Sequence, residues 1–297
     1  MSRDAPDESA HQADQLRIEQ LTESHRFDEE LARLLTQFQY REDGISLTAA
    51  EPRPLPISSI TPATTGLEAV FGAGSSLVFV CYDDREHTMV NPIETVLIDA
   101  LATAVPHEPT PRPDGGINGT LGEGLGPDTQ PSQPRDDESG TEMNDPPSLG
   151  VVTPHNAQRG ALGAVLPDSI TANTVEKYQG GERDIIAVSA TVSDPRFARQ
   201  EERFILNPRR LLVAISRSKL LTVVVCSTAL FEVAPQDSER LDDGPVWARL
   251  FTQAIGRDPE PAWAGPLGEF IGEESTKHVD VPVQAYPSNI DVDEGEQ

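Results

Sequence analysis

Residues 150–158 read GVVTPHNAQ, residues 174–194 read TVEKYQGGERDIIAVSATVSD, and residues 207–227 read NPRRLLVAISRSKLLTVVVCS. Short apolar runs alternate with polar or glycine-bearing turns, and charged residues collect where the runs end. A strand that is apolar on both faces has to be covered on both faces, as in a parallel sheet between two layers of helices. The spacing predicts strands over 150–153, 170–175, 184–190 and 221–226, with helices over about 156–166 and 208–217. The expected fold class is therefore α/β, a parallel sheet with helices on both faces. In such open sheets, ligand chemistry collects at the strand ends.

Working outward, residues 1–12 are polar and are expected to be disordered. Leu16, Ile18 and Leu21, then Phe27, Leu31, Leu34, Leu35 and Phe38, follow helical spacing until a proline-rich stretch over 51–62. Residues 75–82 (SSLVFVCY) read as a buried strand, and 91–105 as a helix with Asn91 at its cap and Pro92 in its first turn. Residues 106–149 are dense in Pro, Gly, Asp and Ser and hold few large apolar side chains, so they read as a disordered insertion or, alternatively, as a binding element. The expected organisation is thus one α/β domain in two parts, 13–105 and 150–234. It is followed by a helical extension over 235–272 and an acidic, disordered tail over 273–297.

The 297 residues carry 49 acidic and 23 basic side chains, a formal net charge of −26. Lys177, Lys219 and Lys277 are its lysines. Acid excess with so little lysine resembles the proteins of salt-accumulating halophiles; the other reading is that acidic tails skew the count. Cys81 and Cys226 each sit in a valine-rich run, which fits buried, reduced thiols. The N-terminal residues lack the apolar core of a signal peptide, and no apolar run is long enough to span a bilayer, so a cytoplasmic protein with no membrane partner is expected.

Three positions carry chemistry. Glu182 follows Gly180 and Gly181, whose backbones tolerate a tight turn; it reads as a solvated turn residue or as a carboxylate facing a ribose or a metal-bound water. Arg217 closes the helix that Asn207 and Pro208 open, two turns beyond Arg210, and so on the same face. It reads as a complement to the helix dipole or as an arginine finger on a transferring phosphoryl group. Arg26 stands at a helix entry and reads as a surface partner of Glu29 or Glu30.

Taken in order, these segments resemble the second motor domain of superfamily 1 helicases, in the branch of the nonsense-mediated-decay helicase and the replication helicase-nuclease. The family's aromatic-Arg-Met signature looks like His25-Arg26-Phe27 here, with Tyr40 following, and its Pro-Tyr-x-x-Gln like Pro154-His155-Asn156-Ala157-Gln158. Asp-x-Phe-Gln-Gly-x-Glu looks like Glu176-Lys177-Tyr178-Gln179-Gly180-Gly181-Glu182. Arg-Arg-Leu-Asn-Val-Ala-Leu-Thr-Arg looks like residues 209–217, with Leu212 for Asn and Ser216 for Thr. His25 and His155 stand where the family has aromatic residues.

The resemblance implies a RecA-like domain with ATP and Mg2+ as cofactors and single-stranded DNA or RNA as partner. It implies Arg26 and Arg217 at the γ-phosphate, on the same sheet edge as Glu182, and Gln158, Gly180 and Glu182 at the nucleotide. Thr153 and Thr174 would lie at nucleic-acid phosphates. No G-x-x-x-x-G-K-[ST] loop occurs in the 297 residues, so the resemblance also implies that a separate N-terminal motor domain or subunit completes the ATP site. The other expectation is a non-catalytic binding module left by a truncated helicase gene.

Overall fold

The computed structural model describes residues 23–24, 28–40, 46–49, 55, 59–106, 146–178, 182–236, 244–273 and 278–290. The expected disordered N-terminus, most of the 106–149 segment, and Arg26, Gln179, Gly180 and Gly181 lie outside the described residues.

A two-residue parallel pair, β1 (Glu23–Ser24) and β2 (Thr48–Ala49), stands apart from a seven-stranded sheet. That sheet comprises β3 (Leu77–Tyr82), β4 (Leu149–Thr153), β5 (Thr171–Thr174), β6 (Arg183–Ser189), β7 (Ser218–Ser227), β8 (Trp263–Pro266) and β9 (Pro282–Pro287), in the order β5-β4-β6-β7-β3-β9-β8. The five strands from β5 to β3 are mutually parallel; β9 runs antiparallel to β3 and to β8.

The nine α-helices among the described residues are α1 (Glu29–Leu35), α2 (Thr65–Phe71), α3 (Pro92–Ala104), α4 (Asn156–Val165), α5 (Pro195–Gln200), α6 (Glu202–Ile205), α7 (Pro208–Ile215), α8 (Val246–Ile255) and α9 (Leu267–Ile271). Their starts follow local chemistry. Asn91 accepts from the backbone N–H groups of Ile93 and Glu94 and so opens α3; Asn207 does the same for Arg209 and Arg210 at α7.

Successive side chains of a strand point to opposite faces, and each face has its own core. Leu77, Phe79 and Cys81 join Ile186, Val188, Val224 and Cys226 under α1, α7 and α8. Val78, Val80 and Tyr82 join Ile185, Ala187, Val223 and Val225 under α2, α3, α4 and α9. This is the RecA-like α/β architecture. Cys81 and Cys226 are register partners on neighbouring strands, both buried as free thiols.

Three expectations change. Residues 273–297 are not simply an acidic tail: Pro282–Pro287 form β9, which extends the sheet beside β3. Its prolines sit at the strand ends, where a missing N–H removes no interior ladder bond. The 235–272 extension is mixed, since β8 lies between α8 and α9. The helix predicted to reach Arg217 ends at Ile215, so Arg210 and Arg217 do not share a helical face.

One connection is unusually short. Between β5 and β6 the chain crosses β4, and Tyr178 lies over that strand at Gly150, where a Cβ would come 1.7 Å from the Tyr178 hydroxyl. Only glycine leaves room for this crossing.

Candidate functional site

At the amino edge of the sheet, β6 and β7 begin side by side, with Arg183 in register with Ser218. The Arg183 N–H donates to the Arg217 carbonyl at 3.3 Å, and the Arg183 guanidinium donates to the Glu182 carbonyl at 2.7 Å. Glu182 and Arg217 are therefore neighbours across one strand spacing, each half-buried in a turn just outside its strand. Helix α1 docks at the same edge: Glu30 accepts from the Ser76 N–H at 2.7 Å and hydroxyl at 2.9 Å, immediately before β3. The structure thus brings together two of the sequence-predicted residues, Glu182 and Arg217. Arg210 is elsewhere, paired with Glu176 and lying over the Phe204 ring at 3.8 Å.

The carboxyl edge holds a different arrangement. Gln158, expected at the nucleotide, is fully buried. Its carboxamide oxygen accepts from the Asn91 N–H at 2.8 Å, and its nitrogen lies 3.3 Å from the Asn91 carbonyl and 3.4 Å from the Thr95 and Ser189 hydroxyls. Its hydrogen-bonding capacity is used in fastening α4 to the start of α3. Thr153 is fully buried, its hydroxyl paired with that of Thr191 at 2.9 Å, and Thr174 is 6% exposed. Neither presents a free surface for a phosphate, because both side chains turn into the domain.

The residues around Gln158 form a network that the motifs did not reveal. Glu94 is wholly buried and accepts from the Tyr82 hydroxyl at 2.8 Å, the Ser189 hydroxyl at 2.5 Å and the Thr191 N–H at 2.8 Å. The Asn91 carboxamide donates to the Tyr82 hydroxyl at 2.6 Å and to the Thr191 carbonyl at 2.9 Å. Thr191 is held at φ 66°, in the left-handed region that β-branched residues avoid. Burial pushes the Glu94 carboxyl up to about 7, although its three donors pull it down. A lone Glu in the apolar helix pattern PIETVLIDALATA was the available signal.

Beside this network, Asp84 accepts from the Ser193 hydroxyl, from His87 Nδ1 at 2.8 Å and from the Glu86 N–H at 3.1 Å. Burial alone would raise the Asp84 carboxyl, but these donors outweigh it and hold it below the usual carboxylate value. The Ser193 hydroxyl bonds to the carboxylate and not to the imidazole, so this cluster holds a loop and does not form a nucleophile–base pair.

Residues 138–229 match a family described as an AAA domain. The chain is 37% identical over 83 residues to DNA polymerase alpha-associated DNA helicase A of Saccharomyces cerevisiae, a stretch covering 26% of this chain and 12% of that protein. It is 34% identical over 90 residues to the Regulator of nonsense transcripts 1 homolog of Drosophila melanogaster, covering 27% of this chain and 7% of that protein. It is 27% identical over 92 residues to the DNA replication ATP-dependent helicase/nuclease JHS1 of Arabidopsis thaliana, covering 31% and 7%. The chain thus matches a small fraction of each relative's length.

Proposed function

We propose, for a chain that belongs to the superfamily 1 helicases in the branch of the nonsense-mediated-decay and replication enzymes, that it acts as the second motor domain of an ATP-dependent translocase on single-stranded DNA or RNA. Arg217 is the arginine finger and Glu182 faces the nucleotide from the same edge. Arg26 is the second finger; the helix it precedes begins at that edge. The observation that supports this reading is the adjacency of Glu182 and Arg217 at the starts of β6 and β7. A planar, permanently charged guanidinium carried just before a strand start is suited to a phosphoryl group in transfer.

In this reading the chain contributes half of an ATP site. In this reading the ligands for Mg2+ and the phosphate loop come from a separate motor domain. ATP bound there supplies the phosphoryl group, and this chain contributes positive charge on the opposite wall of the cleft.

The test is phosphate release in molar KCl with single-stranded DNA or RNA. The chain alone should show no turnover above background. Mixed with a phosphate-loop motor domain from a related helicase, it should support turnover, and Arg217→Ala should lower the rate by about 10³-fold while leaving the fold intact. Full activity in Arg217→Ala would remove the finger assignment. Failure of the wild-type mixture to turn over, with nucleic acid still bound, would favour the non-catalytic binding module.

A further inference from the structure

A chain of hydroxyls runs from Glu94 on α3 to the end of β4. The Ser189 hydroxyl donates to Glu94 Oε2 at 2.5 Å, Ser189 Oγ lies 3.1 Å from Thr191 Oγ1, and Thr191 Oγ1 lies 2.9 Å from Thr153 Oγ1. All four side chains are fully buried. A hydroxyl both donates and accepts, so the last two links can run in either direction. An ionised Glu94 can only accept, and all three hydroxyl hydrogens then point towards it. A protonated Glu94 has a hydrogen of its own to place. Tyr82 Oη already accepts from the Asn91 carboxamide at 2.6 Å and donates to Glu94 Oε1, so that hydrogen falls to Ser189 Oγ. Ser189 then donates to Thr191, and Thr191 to Thr153. One proton taken up at Glu94 reverses the whole chain, and no bond between heavy atoms changes.

Thr191 is also where the backbone is strained. The Val192 N–H donates to the Ala190 carbonyl at 2.7 Å across a Thr191 φ of 66°, which is the rare, strained form of the γ-turn. The Thr191 N–H donates to the same Glu94 oxygen that takes the Ser189 hydroxyl. With a carboxylate as acceptor that bond is charge-assisted, roughly twice as strong as one to a neutral carboxyl. The turn runs on into an anchor on a second loop. The Ser193 and Asp194 N–H groups donate to the His87 carbonyl at 2.8 and 3.0 Å, and the Ser193 hydroxyl donates to Asp84. The loops after β3 and β6 thus form one body across the end of β7.

We propose that Glu94 is a proton-operated catch on this body: ionised, it holds Thr191 in its strained turn; protonated, it weakens that hold, reverses the hydroxyl chain and lets the turn relax. Burial, the largest cause, raises the Glu94 carboxyl to about 7, so both states are populated near neutral pH. The titratable groups that face it are Tyr82 on β3, Asp84 in the loop after β3 and Cys226 on β7, and none of these is a cation. Burial pushes the Tyr82 hydroxyl and the Cys226 thiol up, so both stay neutral here. Asp84 stays charged and disfavours a second charge beside it. The inference rests on neither the ATP reading nor the nucleic-acid reading.

The experiment is NMR of the full chain in molar KCl, isotope-labelled at threonine and glutamate, from pH 5 to pH 9. The Thr191 amide proton should lie far downfield at high pH and move upfield with a midpoint near 7, together with the Glu94 carboxyl carbon. The Thr191 Cα and Cβ shifts, which follow φ, should leave their left-handed values over the same range. Glu94→Gln, whose carboxamide donates as the protonated acid does, should show the parent's acid-state shifts at every pH. Thr153→Val leaves the Thr191 hydroxyl without an acceptor in the protonated state, so it should move the midpoint down. This second variant decides the matter if Glu94→Gln does not fold.

Thr191 Cα and Cβ shifts that stay constant across the range would overturn the proposal, whether or not the Glu94 carbon titrates. So would a titration of Thr191 that persists in Glu94→Gln, or a midpoint in Thr153→Val that is unchanged or raised. The His87 imidazole reaches the same turn through Asp84, at 2.8 Å, so the series is repeated in His87→Asn. Loss of the midpoint there would assign the effect to His87 and overturn the proposal; its persistence supports Glu94.

Discussion

Glu94 is a wholly buried carboxylate facing no cation, held by three donors on β3, β6 and the turn after β6. Its work is geometric. The Thr191 N–H and carbonyl are both fixed, one by Glu94 and the other by Asn91, which keeps Thr191 left-handed at a cost on the order of 1–3 kcal/mol. Because burial raises the Glu94 carboxyl from 4.5 in the unfolded chain to about 7, the folded state favours its protonated form. Stability from this group is then full below about pH 4.5 and is lost as pH rises through about 7. Such a shift corresponds to a few kcal/mol.

Glu94→Gln keeps the shape and removes the titration. Denaturant melts from pH 5 to 8 should show the parent losing stability relative to Glu94→Gln as pH rises. Parallel curves would show that the carboxyl does not titrate in this range. Asp84, held below its usual value, acts in the opposite sense, its stabilisation fading only at lower pH. None of this was legible in the motif around Gln158. The spacing located the residue correctly at the first turn of a helix after a strand, but its partners, Asn91 and Thr95, lie more than 60 positions away. A motif fixes order along the chain; which end of a side chain is free depends on contacts that only folding brings together.

Among the elements, the parallel core was legible because each strand is a short apolar run that serves two cores at once. β3 alternates Leu77, Phe79 and Cys81 toward one face and Val78, Val80 and Tyr82 toward the other, so every position is apolar. β7 runs further than its apolar stretch, from Ser218 to Ser227, because the Ser218 and Thr222 hydroxyls bond to each other at 2.6 Å and so can be buried. β9 escaped notice for the opposite reason. PVQAYP is bracketed by prolines and acidic residues, and only its pairing with β3 and β8 makes it a strand. The crossing of β4 by Tyr178 depends on a single missing Cβ, for which the glycine in GVVTPHNAQ was the only trace. Gly150→Ala would place its Cβ 1.7 Å from the Tyr178 hydroxyl and 3.0 Å from Arg183 Cγ. The ring would have to leave its seat, with a loss of about 1–3 kcal/mol. Tyr178→Phe in the same chain should recover part of it by removing the clashing oxygen. A Gly150→Ala protein with the parent's denaturation midpoint would mean that the connection does not pass over β4.

At the scale of the whole molecule, charge is the dominant unexplained term. Forty-nine acidic and 23 basic side chains leave an excess of 26 carboxylates that no arrangement of internal ion pairs can neutralise. Pairs such as Arg33 with Glu29 and Arg85 with Glu232 lie at the surface, where a pair adds little stability. The excess repels itself over the screening length, roughly 3 Å at 1 M salt and about 10 Å at 0.1 M. At 1 M a carboxylate interacts with its immediate neighbours; at 0.1 M it interacts with much of one face of the domain. The cores on the two sides of the sheet are those of an ordinary α/β protein, so nothing in the packing offsets this added repulsion. Circular dichroism melts from 2 M down to 0.1 M KCl should therefore show a progressive fall in melting temperature and loss of the folded signal at the dilute end. A native spectrum and constant melting temperature down to 0.1 M would show that the net charge is tolerated without salt, and the halophilic reading of the composition would fall.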